Sequence, residues 1–303
     1  MEKQLTEHIN KFIKYLTNER KYPTNTISSY TNDLNTYYSY IILKKINYLT
    51  INKDQIREYL KYLDQLKYSK STISRHLSAL RNFYTFLLNI KAINTNPYKS
   101  IRNPKKDKKL PNFLQIEELE QIFDSIETDT ALGIRNRLII ELLYATGIRV
   151  SELTELKLKQ IDLSNKEIRI FGKGSKERIV FFGDYAKKYL NKYLNEARDE
   201  LLQGNKSDYL LINYQGGNLT RRGVEQIVND IVKKAALKHQ ISPHVLRHTF
   251  ATDMLNNGAD LKSVQELLGH ESLSTTQIYT HITNERLRSV YLATFPRQKE
   301  KEK

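Results

Sequence analysis

Residues 96–114, NPYKSIRNPKKDKKLPNFL, constrain the architecture more than any other stretch of this chain. They hold three prolines and a run of lysines with little apolar periodicity, so no buried helix or strand can run through them. A chain of 303 residues also exceeds the usual size of one hydrophobic core. Two domains are therefore expected, at 1–99 and 113–303, joined by a basic linker at 100–112. The whole segment is predicted to be exposed, and its lysines would be held by phosphates wherever it lay along a nucleic-acid duplex.

Upstream of that break the apolar residues recur at helical spacing. Leu5, Ile9, Phe12, Ile13 and Leu16 predict a first helix. Pro23, Thr24 and Asn25 interrupt it, and Thr26 is the expected N-cap of a second helix through Ile42. A third follows Asn52, with Ile56, Tyr59, Leu60 and Leu63 on one face. Ser69 and Ser71 precede a fourth, striped by Ile73, Leu77, Leu80, Phe83, Tyr84 and Leu87. This is a small all-α domain of four or five helices.

Downstream, IEELEQIFDSI and NRLIIELLYATG read as helices, the latter ending at Gly147. The β signal is confined to KEIRIF (166–171) and ERIVFF (177–182), joined by GKGSK, which predicts one antiparallel hairpin. Helices are expected again from Ala186 to about Leu292, and the terminal PRQKEKEK reads as a mobile tail. The fold class is mainly α with a small antiparallel sheet.

Lys and Arg together number 49 against 34 Asp and Glu, a formal charge of +15. Such a field favours a polyanionic partner, above all nucleic acid, although excess lysine can also serve solubility alone. The absence of cysteine excludes disulfides, thiolate zinc sites and thiol nucleophiles. The start, MEKQLTEHINKFIKYL, is amphipathic, and no apolar run reaches the length of a bilayer span. These features predict a cytoplasmic protein with no membrane partner.

The residues that carry chemistry are dispersed. Arg149 follows the glycine of ATGIRVSEL, and Glu152 lies three residues on, spaced to fix its guanidinium in one rotamer. His244 and Arg247 share a helical face behind Pro243, a good first residue of a helix. His248 points elsewhere and is expected to pack or support. His270 follows Gly269 at the end of SVQELLGH, and Tyr279 lies beyond ESLSTTQ, with His281 two residues later. Lys173 stands between glycines in the hairpin loop, where Lys176 competes for the same role. Taken singly, each has an ordinary structural reading: a surface ion pair, a helix cap, a solvated lysine. Together, two guanidinium groups, imidazoles and a phenol supply what in-line attack on a phosphodiester needs. The arginines hold nonbridging oxygens, the histidines handle protons, the phenol attacks and the ammonium protonates the leaving oxygen.

DNA contact is expected from KYSKSTISRHLSALR, which sets Lys70, Ser71, Ser74, Arg75, Ser78 and Arg81 on or before one helix. Thr220, Arg221 and Arg222 at the start of NLTRRGVEQIV form a second set.

The ordered signatures ATGIRVSEL, GKGSKER, LRHTFATDMLNNGADLKSVQELLGH and STTQIYTH resemble the tyrosine recombinases of the phage integrase family, above all the Xer branch. The resemblance spans essentially the whole chain. It implies a SAM-like core-binding domain, then a catalytic domain whose last helix, about 284–296, docks on a neighbouring protomer. It implies catalytic roles for Arg149, Lys173, His244, Arg247, His270 and Tyr279, the last as nucleophile, supported by Glu152. The implied reaction passes through a 3′-phosphotyrosine on double-stranded DNA and needs neither metal nor cofactor. It further implies a homotetramer, or a heterotetramer with a paralogue, on two DNA sites, and an FtsK-type translocase as a further partner. The implied task is resolution of chromosome or plasmid dimers at dif-like sites during cell division. A mobile-element integrase without an arm-binding domain, a type IB topoisomerase and a non-enzymatic DNA-binding protein are the alternatives.

Overall fold

The computed structural model describes residues 2–104, 113–172, 177–237, 241–269 and 283–299. The chain divides into two compact units, 1–108 and 109–303.

The first unit is built from α1 (Glu2–Asn18), α2 (Thr24–Lys44), α3 (Lys53–Gln65) and α4 (Lys70–Asn89). Helix α1 buries Leu5, Ile9, Phe12 and Leu16, one side of a 3.6-residue period. Helix α2 starts two residues before the expected cap. Pro23 takes the cap position with φ −59°, and its carbonyl accepts from the Thr26 and Ile27 amides. Thr26 therefore lies inside the first turn. Asn52 caps α3 in a reciprocal box: its Oδ1 accepts from the Gln55 amide at 2.9 Å, and Gln55 Oε1 accepts from the Asn52 amide at 3.0 Å. Ser69 caps α4, while Ser71 sits within it.

The core of this unit is aromatic. Tyr37, Tyr48, Tyr59, Tyr84 and Tyr98 are fully buried beside Phe12 and Phe83. The Tyr84 hydroxyl donates to the Tyr48 carbonyl at 2.8 Å, so Tyr37, 2.6 Å away, donates to Tyr84. Tyr98 belongs to the segment expected to be exposed, yet its ring packs 4.8 Å from that of Tyr84. Arg81 holds the following residues, donating to the Ile101 carbonyl at 2.8 Å and to Asn103 at 2.6 Å. Burial of a phenol ring thus carries the folded unit past the first proline of the break. Residues 105–112 lie outside the described residues.

The second unit begins where Leu114, itself buried, donates its amide to Thr249 Oγ1 at 2.9 Å. Helix α5 (Ile116–Asp124) precedes α6 (Ala131–Thr146), which is buried around nearly its whole circumference and forms the central rod of the domain. Gly147 ends α6 at φ +59°, a left-handed turn that favours glycine. Helix α7 (Val150–Thr154) leads to a sheet of β1 (Ile161–Asp162), β2 (Glu167–Phe171) and β3 (Glu177–Phe181), antiparallel in that order. Ile170 pairs with Arg178 and Arg169 with Ile179. Strand β1 has two residues, too few for any periodicity to announce it.

Helix α8 (Asp184–Lys192) continues through a π-helical turn, Tyr193–Ala197, into α9 (Arg198–Leu202). Residues 203–220, expected as helix, form a loop closed by an Ile212–Asn218 bridge. Arg198 pins it by donating to the Ser207 and Tyr209 carbonyls at 2.6 and 2.8 Å. Then come α10 (Arg221–Lys234), α11 (Pro243–Asn256), α12 (Leu261–Leu268) and α13 (Asn284–Thr294). In this single chain α13 packs on its own domain through Leu287 and Tyr291, with the Tyr291 and Phe295 rings stacked at 5.0 Å. The described part of the tail is equally fixed. Arg297 pairs with buried Glu141 at 3.0 Å, and its guanidinium lies over Phe123 and Tyr185 at 4.1 and 3.9 Å. Apolar and cationic contacts hold residues that a charged sequence had marked as mobile.

Candidate active site

The site forms where α6, α7, β3, α11 and α12 converge. Arg149 is the N-cap residue of α7, placed there by the left-handed turn at Gly147. Its Nη1 donates to Glu152 Oε1 at 3.0 Å, and its backbone N–H donates to Glu152 Oε2 at 2.8 Å. Glu152 therefore fixes both ends of the arginine, as the three-residue spacing predicted. Arg149 Nη2 donates to the Gly269 carbonyl at 3.0 Å.

Pro243 occupies the first turn of α11, followed by exposed His244 and, one turn on, buried Arg247. Arg247 donates through Nη1 to the Gly147 carbonyl and through Nη2 to the Leu268 carbonyl, the latter at 2.6 Å. Burial, then the neighbouring charge of Arg149, pushes its pKa down to about 10, so it stays cationic at neutral pH. His248 faces away, edge-on to Phe113 at 6.5 Å.

A third arginine completes the group. Arg178 of β3 forks onto Glu152, Nη1 to Oε1 at 2.9 Å and Nη2 to Oε2 at 2.8 Å, while its Nε donates to the Leu267 carbonyl at 3.0 Å. Three arginines thus take three successive carbonyls, Leu267, Leu268 and Gly269, at the C-terminal end of α12. Partial negative charge gathers at a helix C-terminus, which suits cations there. Gly269 closes the helix at φ +63°, and a Cβ on it would stand 3.1 Å from the Arg178 guanidinium. Burial pushes the Glu152 carboxyl up, but hydrogen bonds from Arg178 and from the Arg149 amide, with both charges, bring it below its usual value.

Arg178 escaped the sequence reading. It is the last residue of GKGSKER, and period-two alternation puts it on the same face of β3 as buried Val180. A charge at a core-facing strand position was the available signal. Lys173, Lys176, His270, Tyr279 and His281 lie outside the described residues.

The sets expected to touch DNA separate by exposure. Lys70 and Ser71 are exposed at the start of α4. Ser74 is buried, which takes it off the surface open to a groove. Arg75 donates to buried Asp33 at 2.8 Å and to the Ser29 carbonyl at 2.9 Å, Ser78 to the Ser74 carbonyl at 3.0 Å, and Arg81 holds Ile101 as described. A helix one side of which must fill the core cannot offer all six residues to solvent. Thr220 caps α10 by accepting from the Gly223 amide at 3.1 Å, with Arg221 and Arg222 exposed beside it.

Comparison with known proteins fits this geometry. A model of the phage integrase family matches residues 112–286, and a model of the phage integrase N-terminal SAM-like domain matches 9–91. The chain is 48% identical over 292 residues to tyrosine recombinase XerC of Anoxybacillus flavithermus, covering 95% of this chain and 97% of that protein. The chain belongs to the phage integrase family of tyrosine-type site-specific recombinases. Among solved structures, the XerH site-specific recombinase in a post-cleavage complex with a palindromic difH substrate matches with a TM-score of 0.70 at 29% identity. That match covers 94% of this chain and 84% of the other. A lambda integrase fragment bound to DNA, at 21% identity and a TM-score of 0.69, covers 93% of this chain and 95% of its own and shows the shared fold. Among the described residues no helix is long and apolar enough to cross a membrane.

Proposed function

We propose that this recombinase cleaves and rejoins double-stranded DNA through Tyr279, and that it resolves chromosome or plasmid dimers at dif-like sites during cell division. The observation that carries the chemical part is the placement of Arg149 and Arg247. Both guanidinium groups are held on adjacent carbonyls at the end of α12, where the chain continues toward His270 and Tyr279. A guanidinium has five N–H donors, so each arginine keeps donors for phosphate oxygens after binding the backbone. Arginines aimed at a phosphoryl transition state elsewhere accelerate reaction by roughly 10³–10⁵.

A tyrosine with pKa near 10 is phenolate to about one part in a thousand at neutral pH, so the attacking oxygen needs a base. His244 accepts the Tyr279 proton. The phenolate oxygen bonds to phosphorus, the bond to the 5′ oxygen breaks, and Lys173 supplies that oxygen with a proton. His270 donates to a nonbridging oxygen. The 5′ hydroxyl of the partner strand then displaces the tyrosine, so bond energy is conserved.

Residues 1–99 act as the core-binding module and 113–303 as the catalytic one, with Lys70, Ser71, Arg221 and Arg222 among the residues that meet DNA. Two duplexes and four subunits, alike or paired with a paralogue, form the synapse in the cytoplasm, and an FtsK-type translocase acts on it. Exchange of α13 onto a neighbour requires its release from the cis contacts of Leu287 and Tyr291. A mobile-element integrase of the same chemistry is the second reading, favoured only if the recovered target proves to be an element end.

The test is covalent trapping on nicked suicide DNA followed by sequencing of the trapped strand. Wild-type protein gives an adduct and reports the target, whereas Tyr279→Phe binds DNA and gives none. An adduct that survives in Tyr279→Phe disproves the assignment.

A further inference from the structure

We infer that Arg178 is a positioning residue for strand cleavage, bracing Glu152 and the C-terminal carbonyls of α12 so that Arg149 stands in one place. The inference rests on the phosphodiester chemistry proposed above and names a residue that the six-residue set omits.

All three nitrogens of the Arg178 guanidinium are committed within the protein: two to Glu152 and one to the Leu267 carbonyl. The fork turns the guanidinium onto Glu152, and with its side chain 14% exposed against 40% for Arg149, Arg178 is placed to act through Glu152 rather than as a phosphate clamp. Glu152 is the hub. Its Oε1 accepts from Arg149 Nη1 and Arg178 Nη1, and its Oε2 from the Arg149 amide and Arg178 Nη2. The Glu152 side chain is 7% exposed and that of Arg178 14%, so water cannot replace a lost partner at little cost. Arg149 is 40% exposed and is oriented by Glu152 together with the Gly269 carbonyl.

Stability alone does not explain a buried arginine here. Replacing a buried ion pair by apolar side chains of similar volume is often neutral or stabilising. What the fork adds is register. One rigid plane joins β3, α7 and the end of α12, the elements that flank the hairpin loop with Lys173, the Arg149 turn and the chain leading to His270. Lysine cannot substitute, because one ammonium nitrogen would have to replace three separate nitrogens that reach two carboxylate oxygens and a carbonyl. Gly269 leaves room for that plane, since any Cβ there meets Arg178.

The experiment uses full-length protein and a nicked duplex carrying the sequence recovered with trapped wild type. Arg178→Met is expected to melt as a folded protein and to bind this duplex within about twofold of wild type. Its single-turnover cleavage at saturating protein falls by up to about 100-fold, the size of effect that small misplacement of a reacting group produces. In the Glu152→Gln background the same change has little further effect, because the bracing is already lost. The acid limb gives a readout that a packing role would not move. The charges facing Glu152 are Arg149 on its own turn, Arg178 from β3 and Arg247 from α11. Without Arg178 the upward push of burial is less opposed, so cleavage fails at higher pH in Arg178→Met; Glu152→Gln lacks this limb. Wild-type cleavage by Arg178→Met, equal loss of binding and cleavage, or multiplying effects of the two substitutions each overturn the inference. If Arg178→Met does not fold, Arg178→Lys is read in the same way. Absence of any Tyr279 adduct in wild type would instead defeat the proposed chemistry itself.

Discussion

Replacing Gly147 by alanine tests whether the turn that launches Arg149 also holds Arg247. Gly147 has φ +59°, a conformation that costs an L-residue about 1–2 kcal/mol. The new Cβ would stand 2.5 Å from Phe250 Cδ1 and 2.8 Å from Leu268 Cδ2, inside any real contact. Overpacking of that kind adds about 1–3 kcal/mol. The expected loss is therefore about 2–5 kcal/mol for the catalytic domain. At about 2–4 °C per kcal/mol for a domain of this size, the melting midpoint should fall by about 4–20 °C. A functional loss should accompany it, because relief of the clash moves the Gly147 carbonyl that accepts from Arg247 Nη1. Calorimetry measures the first effect, and single-turnover cleavage below the new midpoint measures the second. A midpoint lowered by less than about 2 °C together with wild-type cleavage would refute the packing argument and the coupling to Arg247.

Two further outcomes follow from the packing. Arg297→Ala removes a guanidinium held between two rings and paired to buried Glu141, which keeps Arg137 at 3.1 Å. The loss should be about 2–3 kcal/mol, below the full value for a broken buried pair, with faster hydrogen exchange in α13; an unchanged midpoint would contradict it. Asn52→Ala opens the reciprocal cap of α3 and should destabilise the first unit by about 1 kcal/mol. The check is faster exchange of the Asp54 and Gln55 amides, and identical exchange would argue against the cap.

Much of the site was legible because it rests on local rules. The Gly147 turn before Arg149, the three-residue spacing to Glu152, Pro243 at the head of α11 and Gly269 closing α12 are set by backbone sterics and helix periodicity. The same holds for the start of α3 after Asn52, the start of α4 after Ser69 and the β2–β3 hairpin. Thr26 misled because Pro23 could take the cap position first. Tyr98 misled because proline and lysine neighbours say nothing about what a phenol three-dimensionally meets. On α4, a pattern of hydroxyls and arginines looked uniform until packing sorted buried Ser74 from exposed Lys70 and Ser71.

The amino-acid order by itself determined two helical units, the β2–β3 hairpin but not the third strand, the basic charge and the candidate side chains on which the proposed chemistry rests. Each depends on composition or on neighbours within a few residues. Only tertiary structure decided that Arg178 joins Arg149 and Glu152, that three arginines take the last carbonyls of α12, and that the C-terminal helix lies on its own domain. Those outcomes pair groups from 26 to 120 residues apart in the chain. Burial selects such pairings, because a desolvated charge must find its partner wherever the folded core leaves one.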